Sequence, residues 1–244
     1  MIIYDSSSET VFGPCDLKLD AKPDKCLLIF DDEIWDDYVL TNKNLATFSV
    51  KNTYGRTFDT YRYLDMNGEK ILLVYPTTGA AGSVCDMELL IASGIKKFVA
   101  FGTCGRLDKN IAKNTIILPT SAYREEGTSY HYLPDSDEIE VDQLLLQKAK
   151  SVFDKTILTT IEGKIWTTDA VYRETYGKVK LMQERGCIGV DMELSALLVL
   201  AKYRDVKFFQ FLIGDDAVGG EVKPPIERNN QEILNTAISL LLNI

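Results

Sequence analysis

No apolar run in this 244-residue chain reaches the roughly 18 residues that a membrane-spanning helix needs. There is no basic stripe either. The 27 Lys and Arg residues are scattered among 36 Asp and Glu, and the net charge is -9. A nucleic-acid partner is therefore not expected, whereas a neutral or anionic small molecule could bind where a few cations converge. The five cysteines, Cys15, Cys26, Cys85, Cys104 and Cys187, are odd in number and sit at neither metal nor redox spacing. That usage predicts reduced, mostly buried thiols in a cytoplasmic protein, and no metal site. The opening MIIYDSSSET does not read as a signal peptide. No G-x-G-x-x-G opens a helix after a strand, which rejects a Rossmann dinucleotide site. No repeat, low-complexity tract or linker interrupts the chain, so one domain is expected over 1–244, with 1–25 as an irregular lead-in.

What is present centres on Gly79 to Gly105, GAAGSVCDMELLIASGIKKFVAFGTCG. Small residues open it, and Val84, Met87, Leu90 and Ile91 follow at helical spacing, with Ser83 as the expected N-cap and Gly94 as the stop. Phe98-Val99-Ala100-Phe101 has the length and apolarity of a strand buried on both faces. The run is expected to stop at Gly102-Thr103-Cys104-Gly105, where free backbone N–H groups would suit an anion or a sugar. A βαβ crossover with a glycine-rich turn accounts for the same residues.

The rest of the chain alternates in the same way. Cys26 to Phe30 reads as a buried strand that runs into the acidic cluster Asp31-Asp32-Glu33, where acids suit a helix start. Thr47 to Tyr63 reads as antiparallel strands, and Asn67-Gly68 as a hairpin turn before a strand at Ile71 to Tyr75. A strand at 114–119 is expected to be closed by Pro119. Residues 120–140, TSAYREEGTSYHYLPDSDEIE, read as a long polar loop holding the sole histidine, His131, and loops of that length are often functional. A helix follows at 141–153, a strand at 156–160, and a strand and turn at 163–172. Gly186 to Asp191 leads through Met192-Glu193 into a helix at 194–204. A buried strand then runs from Lys207 to Ile213 and ends at Gly214-Asp215-Asp216, and a last helix spans about 230–242. Strands alternating with helices, with hairpins between Thr47 and Tyr75, predict an α/β fold with a mixed sheet.

Three stretches together resemble the nucleoside phosphorylase and nucleosidase superfamily, which includes purine nucleoside phosphorylase, uridine phosphorylase and the methylthioadenosine nucleosidases. They are GTCG after a buried strand, GVDMELSALL at a strand-to-helix junction, and a carboxylate at the end of the next strand. Val190-Asp191-Met192-Glu193 is the most specific part. EEGTSYHYLP and WTTDAVYRET look like a bacterial branch of the same superfamily. The resemblance covers about 26–242. It implies a three-layer α/β/α domain around a central, partly barrel-like sheet, and a homodimer or a trimer-of-dimers hexamer.

The resemblance also implies a chemistry: cleavage of the N-glycosidic bond of a purine-type nucleoside by phosphorolysis, giving free base and ribose 1-phosphate. No cofactor is implied beyond inorganic phosphate as co-substrate. Glu193 matches the glutamate that grips the ribose hydroxyls, a charged acceptor able to take two donors, and Met192 would pack on the flat of the sugar. Asp216 matches the acid that serves N7 of the base, with Asp215 as the match if the count slips by one. Desolvation and a neighbouring like charge help such a carboxyl keep its proton until the base needs it, and Asp215 supplies the charge. Val171 and Tyr172 fall where the base is lined. Thr175 and Gly177 stand where uridine phosphorylases carry glutamine and arginine, which disfavours uridine.

The chain departs from the pattern at the phosphate. Ala100 stands where phosphorylases have an arginine, and Asp31, Asp32 and Glu33 occupy the other anion-binding turn, where like charge repels. What remains is Gly79, Gly102, Thr103 and Arg56, the last from a neighbouring subunit, with Arg62 or Arg106 as other substitutes. FDDEI resembles the acidic segment of nucleosidases, in which Glu33 would match the base that activates water. Hydrolysis is the alternative, and a non-catalytic nucleoside-binding relative the third reading.

Overall fold

The computed structural model describes residues 4–7, 9–19, 22–42, 45–51, 57–66, 68–220 and 227–244. Its ten strands and six α-helices follow in the order β1 (Lys25–Phe30), α1 (Asp32–Ile34, running on as a π-helix over Trp35–Leu40), β2 (Ala46–Lys51), β3 (Thr57–Met66), β4 (Glu69–Val74), α2 (Ala80–Ala92), β5 (Lys97–Arg106), β6 (Ile116–Glu125), β7 (Glu138–Glu140), α3 (Gln143–Phe153), β8 (Thr160–Thr168), α4 (Tyr176–Glu184), β9 (Cys187–Asp191), α5 (Leu194–Arg204), β10 (Lys207–Ala217) and α6 (Asn230–Asn243). Among the described residues no helix is long and apolar enough to cross a membrane.

The strands form one mixed sheet in the order β10-β6-β8-β9-β5-β1-β4-β3-β2. β10 also pairs with β5. That second pairing closes β5, β9, β8, β6 and β10 into a five-stranded ring, so the sheet is mixed, as the alternation predicts, and barrel-like at one end and open at the other, as the resemblance implies. β5 is central, in parallel register with both β1 (Ala100 opposite Leu28) and β10 (Ala100 opposite Gln210). A strand covered on both sides must be apolar throughout, and Phe98 to Phe101 are all fully buried. Phe101 stacks on Phe211 at 5.2 Å, and Phe153 meets Phe211 edge-on at 5.1 Å. α2 packs on α5 and α3 on α6, and α3, α5 and α6 also pack on the sheet. Arg204 joins the first pair by donating from Nε and a terminal nitrogen to the Glu88 carboxylate, at 2.9 and 2.8 Å.

Several local expectations are corrected. Ser83 does not cap α2: the helix begins three residues earlier, at Ala80, and the Ser83 hydroxyl donates to the Ala80 carbonyl at 3.2 Å. Gly94 does close it, donating to the Ile91 carbonyl while Ile95 donates to that of Leu90, the paired bonds of a Schellman stop. β5 does not stop at Gly102. It continues to Arg106 because β10 pairs with it to Cys104 and, past a register shift, again at Arg106, while β9 joins at Gly105 and Arg106. Pro119 does not end β6, because a register shift between Pro119 and Ser121 absorbs it against β8, the kind of irregularity where a residue without an N–H is tolerated. The expected loop is therefore shorter: β6 claims its start, β7 its end, and a 3-10 turn forms at Ser129–His131. The strand expected at 156–160 begins only at Thr160, and α4 lies where no helix is expected. The turn expected at Asn52 to Gly55 lies outside the described residues.

Gly102 of β5 lies opposite Phe30 of β1 with no room for a side chain. A Cβ there would lie 2.7 Å from Phe30 Cβ, inside a buried sheet that cannot move aside. Gly102→Ala is expected to cost about 1–3 kcal/mol of stability through overpacking, read as a lower denaturation midpoint at unchanged slope.

Candidate active site

The site forms where β9 turns into α5. Asp191 ends β9 and supplies the cap: its Oδ2 accepts from the Leu194 N–H at 2.7 Å and the Glu193 N–H at 3.2 Å, satisfying orphan donors of the first helical turn. Glu193 occupies the N-cap position itself, yet its side chain makes no capping bond. The carboxylate is thus released from the helix-start role that acids commonly play. It turns instead toward the start of α2 and accepts the Gly79 N–H at 2.6 Å. Gly79 can present that N–H because it adopts φ 92° and ψ 152°, a conformation that costs other residues of order 1–3 kcal/mol.

Both carboxyls are buried, Asp191 to 5% exposure and Glu193 to 7%. Burial lifts Glu193 well above the usual glutamate range, and the neighbouring Asp191 charge adds to the lift. Burial raises Asp191 as well, against the hydrogen bonds it accepts from Thr167, Leu194 and Glu193. Two desolvated carboxyls this close disfavour double ionisation.

A cavity of about 340 Å³ opens beside them, walled by Phe30, Thr78, Thr103 to Gly105, Val171, Glu174, Val190 to Glu193, Asp215 and Asp216. It lies within the range of small-molecule sites. The structure thus gathers Met192, Glu193, Thr103, Val171, Asp215 and Asp216 around one space. Gly79 stands behind Glu193 through its N–H. Asp215 and Asp216 belong to β10, which runs past the expected stop at Gly214 to Ala217, with a register shift against β5 after Gly214. Lys113 Nζ lies 2.8 Å from Asp215 Oδ1 and 2.8 Å from Asp216 Oδ1. The acidic pair is therefore bridged by a cation, and the like charge of Asp215 does not act on Asp216 alone.

Other residues singled out in the sequence lie elsewhere. Gly102 is buried in the sheet between β1 and β10 and does not form a free turn. Tyr172 is 99% exposed and does not wall the cavity. Glu33 is 2.9 Å from Arg228, whose guanidinium also grips Asp31 with two bonds of 2.9 Å. Asp31 in turn caps α1 by accepting the Ile34 N–H. The acidic cluster is thus a helix start whose Asp31 and Glu33 are paired with Arg228, and Glu33 does not wall the cavity. Arg106 donates to the Asp215 and Ile111 carbonyls. Arg62 donates to the Tyr61 carbonyl and lies 6.0 Å from the Trp35 ring. Neither is among the wall residues. Arg56 lies outside the described residues. His131 ends the 3-10 turn and borders a separate surface groove with Tyr132 and Arg204. Thr175 caps α4 by accepting the Lys178 N–H.

Sequence reasoning missed Lys113 and Glu174, and it named Cys104 only among the five thiols and as part of the stretch Gly102 to Gly105. Burial raises the Glu174 carboxyl. Burial, with Asp191 and Asp215 nearby, also keeps the Cys104 thiol protonated. Nothing in spacing marks Lys113, and Glu174 was hidden by the unexpected helix after it.

Comparison with known proteins agrees with this architecture. The chain is 30% identical over 148 residues to a purine nucleoside phosphorylase of the DeoD type from Clostridium novyi, a match covering 60% of this chain and 64% of that relative. Among solved structures it resembles the purine nucleoside phosphorylase of Toxoplasma gondii in complex with immucillin-H (TM-score 0.75, 17% identity, 96% of each chain). It also resembles an AMP nucleosidase from Bacteroides thetaiotaomicron (TM-score 0.71, 22% identity, 91% of this chain and 88% of the other). At such identities the two structures speak to the fold alone. The family model of the phosphorylase superfamily matches residues 33–244, and this chain belongs to that superfamily.

Proposed function

We propose that the protein cleaves the N-glycosidic bond of a purine-type nucleoside by phosphorolysis, yielding the free base and ribose 1-phosphate. The observation that carries the reading is the Glu193 carboxylate. It is excused from helix capping and anchored on one side by the Gly79 N–H. The carboxyl borders the cavity beside Met192, where ribose hydroxyls can meet it. Glu193 and Met192 bind the sugar, Val171 lines the base, and Asp216, with Asp215 beside it, serves the leaving nitrogen. Thr103 lies within reach of the acceptor, and Arg56 from a partner subunit of a homodimer or larger homo-oligomer supplies its cation. Phosphate is preferred to water because Glu33, the residue matched to a water-activating base, is held by Arg228 away from the cavity.

One observation favours hydrolysis as a second reading. The described walls carry five carboxyls, Glu174, Asp191, Glu193, Asp215 and Asp216, and no Lys or Arg, so no cation among them meets an anionic acceptor, and Lys113 is already engaged by Asp215 and Asp216. Incubating the protein with inosine or adenosine, with and without inorganic phosphate, decides between them. Turnover is expected to require phosphate and to release ribose 1-phosphate. Free ribose formed at the same rate without phosphate would establish the hydrolytic reading instead, and no cleavage of either nucleoside would leave a binding protein.

A further inference from the structure

The segment EEGTSYHYLP is not used by the chemistry above, yet it reaches the site through buried side chains. Glu126, 5% exposed, spends one carboxylate oxygen on its own loop, accepting the Thr128 and Ser129 N–H groups at 2.6 and 2.9 Å. The other oxygen accepts the Ser195 hydroxyl at 3.0 Å, joining the loop to the first turn of α5. Ser195 is fully buried, and its N–H donates to Thr167 Oγ1 at 3.1 Å. Thr167 is fully buried too. Its hydroxyl proton goes to Asp191 Oδ1 at 2.7 Å, and Asp191 Oδ2 takes the backbone N–H of Glu193. Each hydroxyl has one proton to give, and both are committed: Ser195 to Glu126, Thr167 to Asp191. The direction of the chain is therefore fixed, and every link lies in a low-dielectric interior where an unmade bond is costly.

We propose that Glu126 is a positioning residue of the site. Through Ser195 and Thr167 it fixes Asp191 and the α5 start, and so aims the Glu193 carboxylate at the cavity. This rests on the reading of Glu193 as the ribose-binding group. The EEGTS loop then braces the residue that must meet two hydroxyls at once. A misplacement near 1 Å can cost about a hundredfold, so small slack in this chain is visible in rate.

Glu126→Gln and Ser195→Ala are tested on inosine and 2′-deoxyinosine, with Glu193→Gln as the reference. In both test variants kcat/KM for inosine is expected to fall about ten- to a hundredfold and that for 2′-deoxyinosine much less, because only the ribonucleoside uses the full grip of Glu193. Equal losses on both substrates would reduce Glu126 to a loop staple and overturn the proposal, as would unchanged rates. Should Glu126→Gln fail to fold, Ser195→Ala still decides, since it leaves both backbone bonds of Glu126 intact. If Glu193→Gln itself leaves the ribo-to-deoxy ratio unchanged, it is the role of Glu193 that fails. Crystal structures of the two test variants then decide the proposal without turnover. The Glu193 carboxylate is expected to leave the Gly79 N–H, and a retained bond of 2.6 Å overturns it.

Discussion

Glu193→Ala is expected to lower kcat/KM on a purine ribonucleoside by at least about a hundredfold, roughly 2.7 kcal/mol of transition-state stabilisation, in a protein that still folds. The fold survives because the side chain caps nothing and Asp191 makes the helix-start bonds. The chemistry suffers because the carboxyl that faces the two hydroxyls is lost from a desolvated wall, where an unmade hydrogen bond is costly. Assays on matched ribo- and 2′-deoxyribonucleosides check the assignment, and a variant with near-wild-type rates on the ribonucleoside would refute it. The isosteric Glu193→Gln adds a stability reading. Burial raises the Glu193 carboxyl, so the folded state binds its proton more tightly than the unfolded chain does. The stability this group contributes is full below the unfolded value of about 4.3 and is lost as pH rises through the folded one. Glu193→Gln, which never ionises, is therefore expected to gain Tm over wild type at about pH 8 and to lose that gain toward about pH 4.

The second large effect concerns the leaving group. Asp216→Asn is expected to depress turnover of inosine strongly and to spare 4-nitrophenyl riboside, whose phenolate departs without a proton. The variant is a clean test because Lys113 keeps its 2.8 Å bond to Asp215, so the end of β10 stays anchored when Asp216 loses its charge. Equal losses on both substrates would make Asp216 a shaping residue only. If Asp215→Asn shows the selective pattern instead, Asp215 is the group that serves the base.

The parts of this molecule that could be read from the sequence are those governed by local pattern. Phe98 to Phe101 is apolar on both faces and proved to be the strand at the middle of the sheet. Gly94 stops α2, and the acids after Phe30 start a helix, because each acts within a few residues. Val190 to Glu193 was legible for the same reason, as a strand-to-helix junction in one short run, although the capping by Asp191 was not. What could not be read is set by residues distant in sequence. β5 and β10 outrun Gly102 and Gly214 because neighbouring strands go on pairing with them, and Pro119 is absorbed in a bulge only because β8 lies alongside. Lys113 meets Asp215 and Asp216 across more than a hundred residues of chain, and Arg228 meets Glu33 across nearly two hundred, distances over which composition carries no signal.

The ring made when β10 pairs with β5 has a kinetic meaning. The two strands run parallel from Lys97 and Lys207, so joining them closes a long stretch of chain, the kind of contact that forms slowly. The cavity draws Thr103 from β5, Asp191 from β9, and Asp215 and Asp216 from β10. No length of chain short of β10 can bring these groups together. Assembly of the site therefore waits on this long-range pairing, and recovery of ligand binding on refolding is expected to mark the closing of the ring.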